Sequence, residues 1–303
     1  LIQQGFEIII VDDLSNSSTK VLDGIKKITG VSPEFVKLNL RDKREVNRLF
    51  EAYPDLSGII HFAAYKAVGE SIDQPLKYYQ NNIGSLINLL QAIESKRRRF
   101  SFIFSSSCTV YGQADQLPIT EKAPIKKAES PYGNTKQIGE EILFDSTRSN
   151  GLIKVISLRY FNPIGGHPSI EIGELPKGKP QNLVPFITQT AAGIHKNLYV
   201  FGNDYPTLDG TCIRDYIHVV DLAEAHVAGL KRMMANEQNN NFEVFNLGTG
   251  KGKSVLEVIK IFEKVSGVNL KYEIVDRRPG DIVEAYADTA KANKVLRWKA
   301  KND

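Results

Sequence analysis

Tyr132 and Lys136 stand four residues apart, a spacing that puts both side chains on one face of a helix. A free phenol has a pKa of about 10 and is a poor base at neutral pH. A neighbouring ammonium and a positively charged nicotinamide both favour phenolate, and each unit of lowering is worth about 1.4 kcal/mol. The chemistry such a pair offers is removal of a hydroxyl proton. Y-x-x-x-K alone is equally the pattern of a solvated helix face. Ser105-Ser106-Ser107 narrows the choice, because it follows the apolar run Phe102-Ile103-Phe104 and carries its hydroxyls to the carboxyl edge of a sheet, where ligands of α/β folds bind. Serines at a strand end can simply cap, but serine run, tyrosine and lysine in this order go beyond capping. Asp12 closes a second apolar run, where an acid can hold both hydroxyls of an adenosine ribose. That placement favours NAD over NADP, although strand-end aspartates are also ordinary turn formers.

The elements that must position these groups alternate. Residues 7–11 form a β-branched apolar run predicted to be a strand buried on both faces. Further strands are predicted at 35–38, 58–62, 101–104 and 154–158, and helices at 19–28, 43–51, 75–95 and 134–149. This succession predicts βαβ units and a doubly wound, Rossmann-like parallel sheet. After about Asn162 the pattern breaks into a Gly- and Pro-rich loop reaching about Pro180. Helices at 219–235 and 255–265, mixed with a strand at 242–246, then predict a smaller α/β substrate-binding cap. The expected division is a nucleotide-binding domain over 1–163 and, over 164–303, mainly the cap, interleaved with returning elements of the first domain. A dinucleotide fold opens with a strand and a glycine-rich turn whose backbone N–H groups hold a pyrophosphate. No such turn occurs in the first half, residues 1–5 read as the end of the helix that should follow it, and Gly248-Thr249-Gly250-Lys251-Gly252 comes too late to replace it. The first strand and its turn are therefore expected to be missing, as in a fragment.

Composition bounds the remaining classes. Lys and Arg number 39 against 35 Asp and Glu, so the net charge of +4 is spread thinly over 303 residues and points to no nucleic-acid partner. Hydrophobic residues at 42% and charged residues at 24% are the balance of an ordinary globular protein, which excludes disorder. No apolar run approaches the roughly 20 residues of a membrane span, and no signal peptide precedes the first strand. The one dense basic run, Lys96-Arg97-Arg98-Arg99, ends a predicted helix, where cations suit the helix dipole. Cys108 and Cys212 are far apart, and no C-x-x-C or histidine cluster proposes a metal. Reduced thiols and a cytoplasmic location are the simplest expectation. His61 and His218 lie in or beside apolar runs and read as structural.

Longer blocks carry a resemblance. Val11-Asp12-Asp13-Leu14-Ser15-Asn16-Ser17, His61-Phe62-Ala63-Ala64-Tyr65-Lys66-Ala67-Val68-Gly69-Glu70-Ser71, Phe104-Ser105-Ser106-Ser107-Cys108-Thr109-Val110-Tyr111-Gly112 and Ser130-Pro131-Tyr132-Gly133-Asn134-Thr135-Lys136 are four of them. Arg159-Tyr160-Phe161-Asn162-Pro163, Gly210-Thr211-Cys212-Ile213-Arg214-Asp215-Tyr216 and Arg277-Arg278-Pro279-Gly280-Asp281 continue the series. Over essentially its whole length the chain resembles the UDP-glucose 4-epimerases of the extended short-chain dehydrogenase/reductase family. The resemblance implies NAD as cofactor, a UDP-hexose as substrate, and a homodimer. It implies that Asp12, Asn16 and Ser17 hold the adenosine ribose, that Asn39 and Leu40 lie by the adenine, and that Phe62, Ala63, Lys66, Asn82, Ser105 and Tyr160 line the rest of the NAD site. Asn39 stands where the family usually has Asp. Ser107 would hydrogen-bond the sugar O4, Tyr132 would be the base, and Lys136 would bind the nicotinamide ribose and tune Tyr132. Asn162, Asn182, Leu183, Phe201, Arg214, Arg278 and Asp281 would hold the UDP part; arginine forks match phosphate geometry. Ala285 falls where the family borders the sugar's C2 substituent, so an N-acetyl group is expected to fit; a register one residue on would put Tyr286 there and reverse this. A 4,6-dehydratase is the competing chemistry, but it needs an Asp-Glu pair after the serine run, where this chain has Cys108-Thr109.

Overall fold

The computed structural model describes residues 1–149, 151–178 and 180–302. Its first half alternates as expected: β1 (Ile9–Asp12), α1 (Lys20–Thr29), β2 (Glu34–Lys37), α2 (Lys43–Ala52), β3 (Gly58–His61), α3 (Val68–Asp73), α4 (Pro75–Ser95), β4 (Phe100–Ser107), α5 (Pro131–Ser149) and β5 (Ile153–Tyr160). Local chemistry sets several of these bounds. Asp42 accepts from the backbone of Arg44 and Glu45 to start α2. Pro75 opens α4 at its first turn, where a missing N–H costs nothing. Ser130 accepts from Gly133 N at 3.1 Å and Pro131 follows it, so α5 begins three residues before the expected position. Tyr132 therefore lies in the first turn of α5.

Strands β3, β4, β5 and the later β9 (Phe242–Leu247) form one parallel sheet in that order. Its centre is dry: Phe102, Ile103, Val155, Ile156 and Leu158 are all fully buried. One cluster packs α2, α4 and α5 against the sheet through Val46, Leu86, Leu90 and Leu143. A second packs Leu222, Ala225 and Met233 from a later helix with Phe245 and Trp298. The serines of β4 belong to the strand rather than following it. Ser105, Ser106 and Ser107 pair with Leu158, Arg159 and Tyr160 of β5.

β1 and β2 form a separate parallel pair. Among the described residues no ladder joins β1 to β3; a cleft of about 1650 Å³ lies between them, lined by Ile8, Ile10, Val11, Ile59, Ile60 and Leu38. The residues of β1 are consequently half-buried, not buried on both faces as the apolar run predicted, because one edge and part of each face meet this cleft. Residues 2–4 make a short 3₁₀ turn closed by Gly5.

The second half carries β6 (Asn162–Ile164), α6 (Leu183–Ala191), β7 (Leu198–Phe201), β8 (Ile213–His218), α7 (Val219–Met234), β9 (Phe242–Leu247), β10 (Gly252–Ser254), α8 (Val255–Ser266), β11 (Tyr272–Val275) and β12 (Glu284–Ala285). β8 is the hub of a small sheet, paired with β6, β10 and β12, while β7 pairs with β11. His218 accepts from Val220 N and caps α7, and Ser254 with Glu257 makes a capping box for α8. In the basic run Lys96, the C-cap of α4, donates to Phe50 O, and Arg98 donates to Pro54 O and Leu56 O. Among the described residues no helix is long and apolar enough to cross a membrane.

Candidate active site

Tyr132, Lys136 and Ser107 meet where the first turns of α5 cross the carboxyl end of β4. Close packing brings the elements together: a Cβ on Gly139 would sit 2.7 Å from Phe104 Cζ, so only glycine lets α5 lie this near the strand. Ser107 lies beside the Tyr132 phenol, and its Oγ accepts from Thr109 N at 3.2 Å. Lys136 Nζ donates to Ser105 O at 2.6 Å and stands 5.9 Å from the Tyr132 ring centroid.

The electrostatics correct one expectation. Burial pushes Tyr132 up to about 12 against the pull of the Ser107 hydrogen bond, and takes Lys136 down to about 8 against the pull of Glu140. An ammonium 5.9 Å away contributes about 2.8 kcal/mol at an effective dielectric constant of about 20, or about 2 pK units. Five units separate about 12 from neutrality, so burial wins. Lys136 by itself does not keep Tyr132 ionised.

Beneath this pair lies a group that motif reading did not find. Glu140 accepts from Ser106 Oγ at 2.6 Å, Ser157 Oγ at 2.7 Å, Arg159 Nε at 3.0 Å and Arg159 Nη2 at 2.5 Å. The signal was available, since Glu140 continues the helical stripe of Tyr132 and Lys136 by four residues. His226 escaped notice as well; its Nε2 lies 2.5 Å from the Tyr160 hydroxyl.

Asp12, Asn16, Asn39, Leu40, Phe62 and Ala63 all line the cleft between β1 and β3. Asp12 Oδ1 accepts from Leu14 N and Ser17 Oγ, both at 2.6 Å, so the residue shapes its turn, while Oδ2 has no partner among the described residues. Asn39 Oδ1 accepts from Arg41 N and Nε at 3.0 and 3.2 Å. Three residues assigned to this site lie differently. Asn82 is occupied inside the protein by the backbone of Tyr65 and by Thr135. Lys66 forms an exposed ion pair with Glu174 at 3.6 Å. Tyr160 is buried and turned to His226.

A separate cavity of about 130 Å³ collects Asn162, Asn182, Leu183, Arg214, Arg278 and Asp281. Residues up to 119 positions apart meet there because β6 and β12 both pair with β8, which carries Arg214. Arg278 holds Asp281 through Nη2 at 2.9 Å and Nε at 3.2 Å, and Arg214 Nη2 lies 3.6 Å from the same carboxylate. Phe201 is outside the cavity lining, but the Arg278 guanidinium stacks 5.4 Å over its ring. Ala285 is also outside: it is fully buried in a cluster with Cys108, Tyr111 and Phe161, opposite Arg214 in the β12–β8 ladder.

The late glycine run has a structural task. The fully buried Asp215 carboxylate accepts from Thr249 N at 2.8 Å, Thr249 Oγ1 at 2.7 Å, Gly250 N at 3.0 Å and Ala287 N at 3.1 Å. A Cβ on Gly248 would fall 2.3 Å from Asp215 Oδ2. This loop thus cradles an internal anion next to Arg214. His61 is likewise interior, and burial pushes its imidazole down to about 3.

The chain has relatives of known name and structure. The family model described as GDP-mannose 4,6 dehydratase matches residues 1–303. The UDP-glucose 4-epimerase of Bacillus subtilis is 49% identical over 99% of this chain and 87% of its own length. That of Drosophila melanogaster is 45% identical over 99% and 87%. Among solved structures, UDP-glucose 4-epimerase from Bifidobacterium longum in complex with NAD+ and UDP has a TM-score of 0.95 at 44% identity, covering 100% of this chain and 88% of that one. The UDP-Glc/GlcNAc 4-epimerase of Campylobacter jejuni has a TM-score of 0.81 at 37% identity, covering 98% and 87%. The broad family model and the named relatives differ in the chemistry they name, and the relatives decide, because identity near one half extends over nearly the whole chain. The chain belongs to the UDP-glucose 4-epimerase family.

Proposed function

We propose that the chain interconverts UDP-galactose and UDP-glucose by reversible epimerisation at C4, with NAD as a resident cofactor. The observation that carries this reading is the buried Lys136 ammonium, held by Ser105 O at 2.6 Å and standing 5.9 Å from the Tyr132 ring in the seam where β4 brings Ser107. The cleft between β1 and β3 suits a dinucleotide: it opens at strand ends, is walled by apolar residues, and presents one oxygen of Asp12 without a partner among the described residues. Asp12, Asn16, Ser17, Asn39 and Leu40 would take its adenosine half, with Phe62, Ala63, Lys66, Asn82, Ser105 and Tyr160 forming or bracing the rest. When bound, NAD supplies the acceptor for the C4 hydride and a positive charge that adds to that of Lys136.

Tyr132 takes the proton from the sugar O4 as the 4-keto sugar forms, and returns it when the other face is reduced. Ser107 hydrogen-bonds O4 and the phenol, fixing the line of proton transfer. Arg214 and Arg278 exchange part of their grip on Asp281 for the substrate's pyrophosphate. Asn162, Asn182, Leu183, Phe201 and Asp281 hold the uridine. Charge is concentrated on the nucleotide end, so the keto sugar is free to turn over. Ala285, packed in the core beside Arg214 of β8, is small where the family borders the sugar's C2 substituent, and UDP-N-acetylglucosamine is a second substrate on this reading. Residues 1–163 serve as the nucleotide-binding domain and 164–303 mainly as the cap; a cytoplasmic homodimer is the working assembly.

Incubation with NAD and UDP-galactose tests the reading. Appearance of UDP-glucose is the expected result, and its absence ends the proposal. A 4-keto-6-deoxy product in its place would instead favour dehydration, the chemistry named by the family model.

A further inference from the structure

One carboxylate of α5 is fastened to two strands at once. Glu140 Oε1 accepts from Ser106 Oγ of β4 at 2.6 Å, and from Ser157 Oγ and Arg159 Nε of β5 at 2.7 and 3.0 Å. Its Oε2 accepts from Arg159 Nη2 at 2.5 Å. Lys136 stands four residues earlier on the same face of the helix, and its Nζ donates to Ser105 O at 2.6 Å. Successive turns of α5 thus grip successive residues of β4, the ammonium at Ser105 and the carboxylate at Ser106. The β4–β5 ladder pairs Ser106 with Arg159, so both donors come to the carboxylate from adjacent positions in the sheet. Glu140 is 8% exposed and Lys136 4%, so water and salt screen their interaction little.

We propose that Glu140 is a positioning residue for Lys136: pinned between β4 and β5 one helical turn away, its carboxylate is the fixed counter-charge that keeps the ammonium protonated beside Tyr132. This rests on the reading of Lys136 as part of the epimerase site. Burial takes Lys136 down to about 8, and Glu140 pulls against it. The other titratable groups packed around α5 do not supply that pull. His61 of β3 and His226 of α7 are pushed down by burial to about 3 and about 4, so both are neutral. Burial pushes Cys108 and Tyr111 up to about 11 and about 12, and Tyr160 up as well, so these keep their protons. Glu70 of α3 is engaged by Lys77 and Tyr78 of α4, each at 2.6 Å. Arg159 is a cation and opposes a second one; it is turned to Glu140 and stacks 4.7 Å over the Tyr111 ring. One buried carboxylate therefore serves two buried cations.

The test combines Glu140→Gln with Arg159→Met. The glutamine carbonyl oxygen can still accept from Ser106 and Ser157, and removing Arg159 leaves neither a stranded cation nor a donor facing the new amide. Loss of a cation alone would raise the Lys136 pKa, so a fall is assignable to Glu140. The readout without turnover is NMR titration of labelled lysine, with Lys136 identified by its loss in Lys136→Met. The Lys136 pKa should fall by about one unit in the double variant. Near pH 8 about half of native Lys136 is protonated, against about one in ten after such a fall, so kcat for UDP-galactose should be about fivefold lower there. At about pH 6 the ammonium is essentially complete in both proteins, and kcat should agree within about twofold, with KM within about twofold at either pH. An unchanged Lys136 titration, or a kcat deficit equal at the two pH values, would overturn the proposal and leave Glu140 a brace of the fold. Should the double variant not fold, the native titration decides: Lys136 still protonated at pH 7 supports the counter-charge, and Lys136 already neutral there overturns it. Should wild type fail to convert UDP-galactose, the epimerase reading falls, while the titration still reports whether Glu140 holds Lys136 charged.

Discussion

Replacing Lys136 with methionine removes a buried ammonium and keeps most of the side chain's length. Nζ stands 5.9 Å from the Tyr132 ring centroid. Two unit charges at that distance interact by about 2.8 kcal/mol at an effective dielectric constant of about 20, which is about 2 pK units. The reaction needs phenolate, and loss of a nearby cation raises the pH at which phenolate forms. The acid limb of kcat should therefore move up by about 2 pH units, an approximately 100-fold loss on the acid side of the profile. The deficit should shrink as pH rises, for two reasons. The phenol then ionises without help, and native Lys136, which burial brings down to about 8, gives up its own proton. The assay is kcat for UDP-galactose conversion from about pH 6 to about pH 10 with NAD content measured in each preparation. A deficit constant across that range would refute the electrostatic role and leave Lys136 a purely geometric one. No deficit at all would remove it from the chemistry.

Arg278→Ala should raise KM for UDP-galactose about 10- to 100-fold, the worth of a charge-assisted hydrogen bond, with kcat changed only a few-fold; an unchanged KM would detach the 130 Å³ cavity from the substrate. Glu140→Gln breaks an ion pair whose side chains are 6% and 10% exposed, and should cost about 3 kcal/mol in denaturant unfolding. Ala285→Tyr should suppress turnover of UDP-N-acetylglucosamine while sparing UDP-glucose; because the site is fully buried, overpacking of about 1–3 kcal/mol should accompany it, and equal loss with both sugars would contradict the steric argument.

The parts of the fold that were legible in the sequence are those whose signals are local. α4 begins and ends where expected, at Pro75 and Ser95, because proline at its start and a long amphipathic stretch both speak within the segment. β4 runs three residues beyond its predicted end, since a serine run looks like the end of an apolar strand. Two of its hydroxyls are nonetheless tolerated inside because Ser106 donates to Glu140 and Ser107 accepts from Thr109 N. β6, β10 and β12 were not legible. They have two or three residues each and exist only as partners of β8, a relation between distant segments that periodicity does not carry. The site divides in the same way. Tyr132, Lys136 and Ser107 sit in recognisable blocks, and the six residues of the UDP-side cavity were found through resemblance. Glu140, Asp215 and His226 act through neighbours that only the folded chain supplies, and Asn82 and Lys66 illustrate the converse, with side chains engaged inside the protein or at its surface.

The central claim is that the Tyr132 phenol moves the O4 proton, and Tyr132→Phe tests it with the loss of one oxygen. With UDP-galactose as substrate, kcat should fall about 10³-fold while KM stays within about threefold and the chain remains folded. A variant that keeps more than about a tenth of the native kcat would show that another group carries the proton, and the assignment of this site would be wrong.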